Sequence, residues 1–237
     1  MYNKFKKEIR KKGNVKRAKL LQRFFKTGKG EYGEGDFFMG ITVPEIRKLA
    51  KKYNDLGLKD IKKLLGSKFH EERLTALLIL VDKFKTGDNN QKRRIFDCYL
   101  KNTKKVNNWD LVDLSAQKIV GEYLLDKPKK ILYKLARSKN LWERRISVIS
   151  TFYFIKNNKF KETLKISNIL LCDSHDLIHK AVGWALREVG KKSLKTEEKF
   201  LKKYCLKMPR TMLRYAIEKF PEKKRQIYLK KLIAVNE

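Results

Sequence analysis

Cysteine, proline and acid are all scarce in this chain, and each scarcity removes a class of protein. The three cysteines, Cys98, Cys172 and Cys205, lie far apart, with no CxxC pair or Cys/His cluster able to hold a metal. A disulfide scaffold and a zinc ribbon are thereby excluded, and reduced thiols in a cytoplasmic protein are expected. Long apolar runs are missing too, so nothing in the sequence is suited to crossing a bilayer. The opening run MYNKFKKEIRKKGNVKRAKLLQRFF carries basic charge but no apolar signal core, and no membrane association is expected. Only four prolines occur, at 44, 128, 209 and 221. Several stand where a helix would begin, as in Thr42-Val43-Pro44-Glu45, whose spacing is that of a capping box.

Acid is the most telling shortage. Asp and Glu total 26 against 59 Lys and Arg, a formal charge of +33 on 237 residues. Self-repulsion of that size calls for a polyanionic partner, and nucleic acid is the leading one. Hydrophobic residues make up 42% and aromatics 11%, enough for a substantial core. Apolar positions recur at helical spacing in segment after segment while sustained strand-like alternation is absent, so the expected class is all-α. The exception is residues 26–38, KTGKGEYGEGDFF, whose four glycines make a loop. It lacks the GKS/T ending of a phosphate-cradling loop and reads as a connection, not a nucleotide site.

A repeat runs through the helices beyond residue 58. FHEERLTALLIL (69–80), WDLVDLSAQKIV (109–120), LWERRISVIS (141–150), DLIHKAVGWAL (176–186) and PRTMLRYAIEKF (209–220) each follow a shorter helical stretch. Aligned by their apolar faces, they put Arg73, Asp113, Arg145, Lys180 and Arg214 in one column, at intervals of 32 to 40 residues. That period is close to the one expected of HEAT-type helix pairs, which stack into a superhelix with the second helix of each pair lining a concave face. The expected organisation is a single domain over 1–237, with N-terminal helices and the glycine-rich loop in 1–55 and the repeat array in 56–237. A basic column suits a groove that tracks phosphates, and Asp113 is its anomaly. A carboxylate there opposes anion binding, so it is expected to serve something other than affinity.

Trp109 and Asp113 are four residues apart and share one face of a helix opening near Asn107 or Asn108. Arg145 follows in the same column one repeat later, and Trp184 stands one turn beyond Lys180. Each has a plainer reading: Asp113 as a partner of the helix dipole, the indoles as core, Arg145 as a link between repeats. Candidates for backbone contact are Arg47, Arg73, Lys180, Arg187, Arg210 and Arg214.

NNWDLVD (107–113), LWERR (141–145), HKAVGWALREVGK (179–191) and LRYAIEKF (213–220) together resemble the AlkD-like DNA alkylation repair glycosylases. YGEGDFFMGITVPEIRKLAKKY (32–53) resembles the opening segment of that family, so the likeness covers nearly the whole chain from about residue 20. It implies a HEAT-like superhelix and removal of N3- and N7-alkylated purines from double-stranded DNA by hydrolysis of the N-glycosidic bond, without metal or organic cofactor. It also implies that Asp113 is the essential acid, Trp109 and Trp184 are groove tryptophans, and Arg145 is the arginine beside the acid. Phe24 occupies the place of a tyrosine found in some members, and Asn108 that of a second aromatic. A monomer is expected. The competing readings are a non-catalytic HEAT-like scaffold for DNA or RNA, and a protein-binding adaptor.

Overall fold

The computed structural model describes residues 1–233, and among these every regular element is helical. The chain runs through α1 (Tyr2–Lys11), α2 (Val15–Phe24), α3 (Val43–Lys52), α4 (Leu58–Leu65), α5 (His70–Thr86), α6 (Asn89–Lys101), α7 (Trp109–Ala116) and α8 (Glu122–Leu124). It continues through α9 (Lys130–Ala136), α10 (Leu141–Lys156), α11 (Lys161–Ile169), α12 (Asp176–Lys192), α13 (Leu194–Tyr204), α14 (Arg210–Ala216) and α15 (Glu222–Ile233). Helix starts are set by short polar side chains that take orphan amides: Asn14 from Arg17, Asp88 from Gln91, and Asn140 from Trp142 and Glu143. Thr42 and Glu45 form the expected capping box, with Pro44 in the first turn of α3. No helix among the described residues is long and apolar enough to cross a membrane.

The five repeat segments are the second members of the pairs α4/α5, α6/α7, α9/α10, α11/α12 and α13/α14. Asp113, Arg145, Lys180 and Arg214 are each the fifth residue of their helix, and Arg73 is the fourth of its own. The register inferred from apolar periodicity is therefore the register of the helices.

The chain divides into two compact units, Met1–Tyr123 and the part from Leu124 onward. Residues 1–55 lie within the first unit, so the division does not fall where the sequence changes character. In that unit α5 is the central element, packed by α3, α4, α6 and α7. It is buried almost all round by Leu74, Ala76, Leu77, Ile79 and Leu80, which is why its sequence shows so little amphipathic contrast. Each such leucine or isoleucine contributes about 1.5–3 kcal/mol by leaving water. In the second unit α10 is enclosed in the same way, against α9, α11 and α12. There α12 meets α14 at Gly183, where an added Cβ would collide with the Met212 carbonyl and the Tyr215 side chain. α7 runs on through a turn of π-helix, Gln117–Gly121, a local widening often found next to functional positions.

The glycine-rich loop is pinned at its end. Phe37 makes an isolated parallel bridge with Phe69, the His70 amide donating to the Phe37 carbonyl at 2.8 Å. Just beyond, the Glu71 carboxylate accepts the successive amides of Met39, Gly40 and Ile41 at 2.8–3.3 Å. Gly40 has a φ of +81°, and a side chain there would strike the Asn14 carbonyl and the Ala18 amide at the start of α2. Glycine is required both for the turn and for that approach.

Candidate active site

In the first unit the site is built around the start of α7. Asn108, fully buried, precedes the helix and accepts the Trp109 amide on its Oδ1 at 2.8 Å. The Trp109 indole is half-buried and stacks on Phe25, with ring centres 5.3 Å apart and planes 18° from parallel. Phe25 in turn stacks on Phe38 at 4.8 Å, and Phe38 on His70 at 4.5 Å. These four rings form a cluster, with Phe25 in contact with all three others, that joins α7, the segment after α2, the end of the loop and α5. Phe24 stands beside it, 63% exposed, its edge toward Trp109 at 6.1 Å.

One turn beyond Trp109 lies Asp113, half-buried and on the same helix face. Beneath it Tyr99 is fully enclosed, its hydroxyl 3.0 Å from Ser115 Oγ. Burial pushes the Tyr99 hydroxyl far above its usual range, and the negative charge of Asp113 pushes the same way. The phenol therefore stays neutral.

Beside these rings is a set of buried charges that no spacing in the sequence announces. Asp36, 4% exposed, is ion-paired with Arg73, whose Nη2 lies at 2.7 Å, accepts Asn107 Nδ2 at 2.9 Å and faces His70 Nδ1 at 3.2 Å. The opposite ring nitrogen of His70 faces Asp110 Oδ2 at 2.8 Å. Burial alone would raise the Asp36 carboxyl, but the His70 hydrogen bond and the Arg73 charge outweigh it and hold the group below the ordinary carboxylate range. For His70 burial works against the charged form, and Asp110, by charge and hydrogen bond, more than reverses this, so the imidazole stays charged above its ordinary value.

Arg73 is thus a correction. Its place in the column suggested a phosphate contact, but only 3% of the residue is exposed and the guanidinium is taken up by Asp36 and the Ser67 carbonyl. It neutralises an interior acid. The departure of the Arg73 column position from the surface follows from the enclosure of α5 on every side.

In the second unit Trp184 is half-buried on α12 and meets Phe152 of α10 edge-on at 4.5 Å. Arg145 is buried, with Nη1 donating to the Leu177 carbonyl at the start of α12 at 2.6 Å. At least one of its donors is therefore spent on backbone. Lys180 is half-exposed and pairs with Asp176 at 2.7 Å. Arg187 is held by Glu218 and lies near Glu188. Arg210 and Arg214 on α14 are exposed, as is Arg47 on α3 in the first unit. Among the described residues no group of histidine, cysteine, aspartate and glutamate is arranged to hold a metal. Cys98 and Cys205 are buried, Cys172 is exposed, and all three are unpaired thiols.

A family profile described as "DNA alkylation repair enzyme" matches residues 5–220. A structure described as a predicted DNA alkylation repair enzyme from Enterococcus faecalis shares the fold with a TM-score of 0.67 at 16% identity, over 89% of this chain and 98% of the other. AlkD2 from Streptococcus mutans superposes with a TM-score of 0.52 at 21% identity, covering 87% and 98% of the two chains. The smu.31 protein of Streptococcus mutans UA159 gives 0.51 at 23% identity over 76% and 93%. No curated protein sequence matches the chain.

Proposed function

Because the chain belongs to the DNA alkylation repair enzyme family, we propose that it is a DNA glycosylase acting on N3- and N7-alkylated purines in duplex DNA. The observation that carries this reading is Asp113: a half-buried carboxylate one turn from a braced tryptophan, in a chain of +33. Alkylation at N3 or N7 puts positive charge on the purine, which makes it a good leaving group without a strong general acid. What the protein must supply is stabilisation of the deoxyribose as it becomes oxocarbenium-like, and orientation of the attacking water. A fixed carboxylate does both. The electron-rich faces of Trp109 and Trp184 favour a cationic base or sugar over neutral DNA. Arg145, with part of its guanidinium on the Leu177 carbonyl, acts through its charge and its hold on the start of α12.

Phosphates are gripped by Arg47, Lys180, Arg187, Arg210 and Arg214, with Phe24 against the strand beside Trp109. These contacts position the duplex without reading its sequence. The enzyme works as a cytoplasmic monomer with no metal or organic cofactor. The test is release of free base from DNA containing 7-methylguanine. Wild type releases it, and Asp113→Asn loses about two to three orders of magnitude in rate while DNA affinity is kept or raised. Release by neither protein, with equal binding, would establish a non-catalytic scaffold instead.

A further inference from the structure

Both ring nitrogens of His70 face carboxylate oxygens, Asp36 Oδ2 on one side and Asp110 Oδ2 on the other. A neutral imidazole has one N–H, so either tautomer would set a nitrogen lone pair against an oxygen lone pair. The imidazolium alone donates on both sides. It also closes the local charge sum: two carboxylates, Asp36 and Asp110, against two cations, His70 and Arg73. The other acids in the first turn of α5 have partners of their own, Glu71 in the amides of residues 39–41 and Glu72 in Lys6. Asn107 and Asn108, on the α7 side, contribute only neutral donors.

The ring has a second set of contacts. It lies flat on Phe38 and is tilted over Phe25 at 5.1 Å, the ring that stacks on Trp109. One side chain on α5 therefore touches the end of the glycine-rich loop, the residue next to Trp109 in sequence, and the stack beneath the Trp109 indole. We propose that the His70 imidazolium is the positioning residue of this site, bridging loop and helix so that the first turn of α7 holds Trp109 and Asp113 in working orientation. The proposal rests on the glycosylase reading for its functional consequence, but not for the bridge itself.

The pH dependence has a definite sign. A histidine raised by folding contributes its stabilisation fully below its ordinary value of about 6.5, and loses it as pH rises through the folded value. Loosening of the α7 start is thus an alkaline event. His70→Gln keeps a similar reach but donates to only one of the two acids, leaving an oxygen against the other. His70→Gln combined with Asp110→Asn restores both hydrogen bonds and the charge balance, and removes the titration.

Two measurements decide the matter. The chain has three histidines and three tryptophans, so nitrogen-resolved NMR follows each imidazole and each indole N–H across pH. His70 is expected to carry protons on both nitrogens at pH 7, with the Trp109 indole signal moving as His70 titrates. In single-turnover release of 7-methylguanine, His70→Gln is expected to lower the rate about 10- to 100-fold with DNA affinity changed much less. The double variant should recover most of that rate and show no alkaline fall. A neutral His70 at pH 7, or a His70→Gln protein with wild-type rate and an unmoved Trp109 signal, overturns the proposal. If no protein releases base, the glycosylase reading fails while the NMR titration still judges the bridge.

Discussion

The two units bury acid in opposite ways. In the first, Asp36 lies inside with an arginine and a histidine against it and stays ionised. In the second, Glu197 is 1% exposed, and Oε1 has no hydrogen-bond partner among the described residues. Burial pushes its carboxyl up to about 8, with only the charge of Arg187 opposing. The same depth therefore yields an anion in one place and a neutral acid in the other. Protonation of an interior group is decided by its partners, because the desolvation cost is common to both. The carboxyl of Glu197 packs where Gly190 lacks a side chain, so this acid has its room by shape and not by charge.

The contrast can be broken most severely from the first unit. Asp36→Ala leaves Arg73 and His70 buried without their shared counter-ion and should cost about 3–5 kcal/mol, read as a fall in the urea midpoint at pH 7. Gly183→Ala tests the steric counterpart in the second unit. Overpacking against Met212 and Tyr215 should lower stability by about 1–3 kcal/mol, measured by thermal melting, with no new pH dependence. Glu197→Gln sharpens the comparison through its pH profile. Since its folded value lies above the ordinary 4.5, wild-type stability should decline between about 4.5 and about 8, by at most ~1.4 kcal/mol per pH unit. The substitution should flatten that decline, and an unchanged slope would mean that Glu197 is ionised in the fold. The smallest effect is expected at Lys180→Ala, which should leave stability nearly unchanged and make the plot of log affinity against log salt shallower by roughly 0.9.

The helical repeat was legible because each pair must bury a continuous apolar stripe, and that requirement writes a period into the chain. The fifth-residue positions of Asp113, Arg145, Lys180 and Arg214 follow directly from it. Arg73 fits the same column and yet lies inside, since periodicity says which residues share a face but not what covers that face. The Asp36–His70–Asp110 bridge was invisible for a related reason. Its members are 34 and 40 residues apart, and Asp36 comes from a loop that has no period at all. The loop could be read only as a connection, although its far end supplies both the acid and Phe38 to the site.

At residues 39–41, outside any helix or strand, one carboxylate does what a neighbouring strand usually does. Amide protons of Met39, Gly40 and Ile41 should accordingly exchange slowly with solvent, in step with the opening of α5, whose first turn holds Glu71. The irregular stretch and the innermost helix of its unit then form one cooperative element, and the chain leading into α3 is as durable as the core that anchors it.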